Sequence, residues 1–158
     1  MDNWFDKLDL LCLPKSEIGL LGSSLFVGII GTVIWVPRLS DIKGRRNIMI
    51  ISLILHLSAY ILLYFTKSLK VACFCIMAIG LTFAGKRVVA YNYILEICPK
   101  HYNQTLINFV YFSESFCIFF QANYYQNISK DWRYLQILGI VMTIIALIYE
   151  FIFFYESP

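Results

Sequence analysis

Charge is what this chain has least of. Only 15% of its 158 residues are Asp, Glu, Lys or Arg, where a soluble domain carries about 25%. So few polar groups could not coat a water-facing surface, which excludes an ordinary soluble domain. Glycine and proline are sparse too, eight and four residues, and that excludes collagen-like and low-complexity disordered chains. Five cysteines occur, none in a C-x-x-C pair, so a disulfide scaffold, a metal site and a redox motif all lack their spacing. The net charge is +3 and the 13 basic residues are scattered. No face can therefore neutralise a run of phosphates, and nucleic acid is excluded as a partner. Catalytic triads, Gly-rich phosphate loops and water-accessible paired acids are missing as well. An enzyme or a cofactor would have no residues to work with.

What the chain does have is apolar surface, 59% of its residues, gathered into blocks. A hydrocarbon core about 30 Å thick is crossed by about 20 apolar residues rising 1.5 Å each. Five blocks approach that length: residues 18–36, 48–66, 69–98, 105–125 and 134–155. Backbone groups in lipid must be satisfied within the segment, so these blocks are helices. The two-residue alternation of a membrane barrel strand is absent. The expected fold class is all-α, a polytopic membrane helix bundle of about five transmembrane helices, with residues 1–158 forming one partial transmembrane domain. Its first partner is the lipid bilayer, and the expected location is an integral one. Short connections make successive helices antiparallel neighbours. Ser24, Gly28 and Gly31 share one face of the first block, and Gly80 and Ala84 one face of the third; such small residues let helix backbones approach in lipid.

A few ionisable residues interrupt the blocks. Glu114 lies near the middle of the fourth, where a charge costs about 2.5–3.5 kcal/mol on insertion scales. It reads either as a solute-facing or proton-carrying carboxylate or as a structural one paired inside the bundle. Lys86 and Arg87 fall inside the third block, and Arg87 is nine residues from Glu96. Nine residues turn a helix by about 180°, so those two side chains face opposite ways. Arg87 is then a candidate for an internal cleft with Glu114 as its counter-charge, or else a side chain that snorkels. Gln121 lines a cavity or bonds across helices, and His56 reads as a hydrogen-bonded residue of the bundle.

The segment Pro37–Arg46 turns the chain between the first two blocks. Gly44 permits positive φ there, Asp41 is placed to cap a helix amino end, and Arg45 and Arg46 suit anionic headgroups or helix carboxyl ends. Taken alone it is a basic turn of the positive-inside kind. Its spacing of Leu39, Asp41, Gly44, Arg45 and Arg46 also resembles G-x-L-x-D-R-x-G-R-R, the signature between the second and third helices of the major facilitator superfamily. Pro37 stands for the first glycine and Ile42 for the first arginine. Tyr93, Glu96 and Pro99 are similar to the Y-x-x-E-x-x-P that closes the fourth helix in its sugar-porter and organic-ion branches. Trp132, Arg133 and Gln136 resemble W-R-x-x-Q before the sixth helix, and Glu156-Ser157-Pro158 the P-E-S-P-R after it. Leu8–Cys12 is similar to the end of the large external loop of organic-ion carriers.

The resemblance implies helices two to six of an incomplete amino-terminal half of a twelve-helix secondary carrier, with solute bound between two halves. It implies transport of a small organic solute, a sugar or an organic ion. Asp41, Gly44, Arg45, Arg46 and Glu96 would form a conformational latch, and Arg87, Glu114 and Gln121 would belong to the solute cleft. A second transporter half is the further partner it implies, since a fragment of this extent is not expected to transport alone. The alternative is a small polytopic membrane protein with a structural or assembly role.

Overall fold

The computed structural model describes residues 14–129 and 131–153; the Leu8–Cys12 and Glu156–Pro158 stretches lie outside the described residues. Helix α1, Lys15–Val33, starts after an extended Pro14, with Glu17 in its first turn where the helix dipole favours an acid. Helix α2, Val36–Lys43, carries a proline in its first turn, a place where the missing N–H leaves no helix bond unmade. The segment expected to turn is thus mostly helix. It bends at Ile34–Trp35 and again at Gly44, whose φ of 89° is a conformation that side chains with a Cβ rarely take. Asp41 does not cap: neither α2 nor the next helix has a side-chain cap bond. It lies one helical turn ahead of Arg45 instead.

Helix α3, Arg45–Phe65, follows directly. A long rod comes next, made of α4, Leu69–Leu81, a π-helical turn over Ala84–Val88, and α5, Val89–Ile97. Helix α6, Asn103–Asn127, and helix α7, Trp132–Phe153, complete the order. No strand occurs among the described residues. Four of these rods are long and apolar enough to cross a membrane, namely Lys15–Val33, Arg45–Phe65, Leu69–Glu96 and Trp132–Ile152. Helix α6 has the length, 25 residues, but Asn, Gln and Ser side chains and Glu114 dilute its apolar character.

Packing follows the small residues. Helices α1 and α4 meet through Gly28 and Gly80: a Cβ on Gly28 would run into the Met77 carbonyl oxygen, and one on Gly80 into that of Leu25. Around this contact Ile18 and Leu21 pack on a buried patch of Leu63, Ala72 and Cys75. Helix α3 lies against both α4 and α7. Its contact with α7 is fastened by Gln136, whose Nε2 donates to the Tyr60 carbonyl at 3.0 Å, and by buried Trp132 beside the Tyr64 ring. Helix α6 buries no side chain and stands at the edge. Large apolar side chains such as Phe26, Ile30, Phe65, Phe112 and Ile152 face outward. In water such a surface would aggregate; in lipid it is the solvated face.

The backbone-to-backbone contact at Gly80 has a measurable cost of disturbance. Gly80→Ala should lower stability by about 1–3 kcal/mol, as overpacking does, in unfolding by SDS titration from mixed micelles. Gly22→Ala, where a Cβ meets nothing within 4 Å, should be neutral or stabilising. Equal effects at the two sites would show that the α1–α4 contact is loose.

Candidate functional site

The π-helical turn at Ala84–Val88 organises the site. Such turns hold one surplus residue within an α-helix, and this one carries two adjacent basic side chains, Lys86 and Arg87. Neighbouring residues on a helix point about 100° apart, so the two reach different helices. Gly85 lets α3 come close, since a Cβ there would overlap the Ser52 hydroxyl.

Arg87 turns to α6 and forms an ion pair with Glu114. Tyr91, one turn further along the rod, donates its hydroxyl proton to Glu114 Oε1 at 3.4 Å. The Arg87 guanidinium also lies 5.0 Å from the Phe83 ring centre, a distance at which a cation is attracted to the ring face. Both members of the pair remain about one third exposed, 33% and 34%. They are reachable because they line a groove of about 610 Å³ between the rod and α6, walled mostly by apolar side chains. That volume is in the range of sites for small organic molecules, about 300–1,000 Å³.

Lys86 turns to α3. Its Nζ donates to His56 Nδ1 at 2.7 Å, and the same ring nitrogen lies 3.2 Å from Thr82 Oγ1. Tyr60 closes this corner with its ring 4.5 Å from that of His56. Lys86 lines the groove as well. This contact was not legible in the sequence, where His56 and Lys86 are 30 residues apart and on different helices. The one available signal was two polar residues, each stranded in an apolar block.

A second cluster sits at the end of the bundle where α2, α3, α5 and α7 converge. Arg45 forms an ion pair with Glu96 at the end of α5 and a longer one, 3.4 Å, with Asp41. Arg46 donates from its guanidinium to the Phe151 carbonyl on α7 at 3.3 Å. Gly44, with its positive φ, bends the chain between Asp41 and Arg45. Arg87 and Glu96 thus pair with different helices and not with each other. Gln121 stands apart from the groove. Seven residues beyond Glu114, it is about 10 Å further along α6, and it lines a smaller cavity of about 140 Å³ with Tyr60 and Gln136. Among the described residues no three His, Cys, Asp or Glu side chains converge to hold a metal.

Chemically, the groove offers an apolar wall, an internal ion pair and a second cation, a setting for holding a small solute. The fold is that of an integral membrane helix bundle. Comparison with protein families gives the lineage: a family model described as sugar (and other) transporter matches residues 6–158. The chain belongs to this family, a transporter family of the major facilitator superfamily. A search of curated proteins finds no match. The bilayer is therefore its environment, and small solutes are what its family carries.

The Arg45–Glu96 contact, with the two side chains 18% and 47% exposed, is open to a double-mutant cycle. Arg45→Ala, Glu96→Ala and the double variant should give a coupling of about 1 kcal/mol, the upper range for a partly solvated pair. Additive losses would mean that the contact contributes nothing beyond its separate side chains.

Proposed function

We propose that the chain forms part of a secondary carrier for a small organic solute, with the groove between the π-helical turn and α6 as its share of the solute path. The observation that carries this reading is the Arg87–Glu114 pair lining a groove of about 610 Å³ within the apolar rods of a transporter-family chain. Charges inside a membrane segment are costly and are kept where they serve a path or a partner. In this reading α6 is a fifth span despite its polar residues, two of which, Ser113 and Glu114, border the path. The Asp41–Arg45–Glu96 cluster, with Gly44 as its bend and Arg46 tied to α7, acts as a latch that holds α3, α5 and α7 together at one end in one state of the cycle.

The groove is open along one flank, and alternating access needs a second bundle to rock against. Another set of helices, on this reading frame or on a separate polypeptide, completes the transport unit. Mapping the reading frame on both sides of the chain, or purifying the chain with its membrane partners, finds that second bundle.

Uptake by the completed unit checks the site. Arg87→Ala and Glu114→Gln should each lower uptake at least about tenfold, a loss of about 1.4 kcal/mol in transition-state terms, and Arg87→Glu combined with Glu114→Arg should recover part of it. Undiminished uptake in both single variants would take the pair out of the solute path.

A further inference from the structure

The groove's charges do not balance. Lys86 and Arg87 line it with a single carboxylate, Glu114. Glu114 is engaged with Arg87, and no ion pair to Lys86 occurs among the described residues. What Lys86 has is a hydrogen bond to an imidazole. Thr82 directs its own hydroxyl proton to the Ile79 carbonyl at 2.7 Å and so does not donate to His56 Nδ1. The shorter contact, 2.7 Å from Lys86 Nζ, takes that nitrogen's lone pair, at a length typical of charge-assisted donation. The ring proton is then on Nε2 and the imidazole is neutral. A neutral acceptor orients the ammonium but adds no negative charge. An ammonium without a counter-charge in an apolar segment is costly.

The walls narrow the choice of counter-charge. Beyond the charged groups the groove is lined by Phe83, Ala90, Ile94, Val110 and Ile118 among others, with few hydroxyl or amide groups. A sugar would leave most of its hydroxyls without partners, which is costly in a desolvated site. A cationic solute would face two basic side chains against one acid that is already engaged. A solute with one carboxylate and an apolar body meets both conditions. We infer that Lys86, oriented by His56, is the recognition group for an amphipathic organic anion, whose carboxylate supplies the missing charge and whose hydrocarbon part lies along the groove wall. This inference rests on the groove being a solute site and specifies the class of solute.

Three probes that share a ring and differ in charge separate the possibilities: benzoate, benzyl alcohol and benzylammonium. Their binding to the full purified chain in detergent micelles at neutral pH is measured by equilibrium dialysis with radiolabelled probe. Benzoate should bind about tenfold or more tighter than benzyl alcohol, a difference of about 1.4 kcal/mol, with benzylammonium weakest. Lys86→Gln should bring benzoate to the level of benzyl alcohol, while Lys86→Arg keeps the preference. Far-ultraviolet circular dichroism verifies that each variant is helical, and the ranking on the unaltered chain tests the inference even if a variant fails to fold. Benzylammonium binding as tightly as benzoate, or a benzoate preference that survives in folded Lys86→Gln, overturns the anion assignment and leaves the groove as a solute site. Absence of binding by all three overturns the groove itself as a solute site, and the assignment with it.

Discussion

A charge held within an apolar layer must find its compensation in the protein or in what the protein binds, because lipid offers none. In this chain that constraint links helices that otherwise barely touch. Helix α6 buries no side chain against its neighbours, yet Glu114 ties it to the interrupted rod through Arg87, with Tyr91 as a second contact. The pair is both the reason α6 stands beside the rod and the reason the space between them is polar at one point. Shape and chemistry of the groove have the same origin. Helices α1 and α4 solve the opposite problem without any polar group, by bringing glycine backbone onto backbone, where dispersion contacts act over the whole face.

The interrupted rod carries both clusters. Arg87 and Lys86 occupy its π-helical turn, and Glu96 its far end, where Arg45 meets it. In the proposed carrier the rod is therefore the element common to solute binding and to the latch. A tilt that widens the groove also moves Glu96 relative to α3. This is the kind of rigid-element linkage through which a local change becomes a switch between discrete arrangements.

Much of the architecture is written in composition. Apolar blocks separated by short polar stretches can only be helices in lipid, and an all-helical bundle is what forms. The motif residues Asp41, Gly44 and Arg45 are close in the chain and Glu96 is far from them, yet all converge at one end of the bundle. Their lineage, read from spacing, is that of the transporter family. Three features are not visible at that level. Residues 36–43 are helical although they look like a turn, because the chain is redirected at Ile34–Trp35 and at Gly44, which leaves the stretch between free to coil. Gln121 shares a helix with Glu114 but not its cavity, since two helical turns separate them. The approach of Lys86 to His56 depends on how α3 and the rod cross, and helix crossing is set by packing at Gly85 and Ser52, not by any pattern along the chain.

The surplus residue in the π-helical turn has one more effect. It acts as a phase shift: every side chain after it is rotated about 100° from where an unbroken spiral of the same sequence would aim it. The two ends of the rod are thereby set to separate compass bearings. Removing that one residue would let the rod close into a plain α-helix with its downstream half, carboxylate included, still aimed as it is. Winding all of the same residues into an unbroken spiral would instead point that half toward the wrong neighbours.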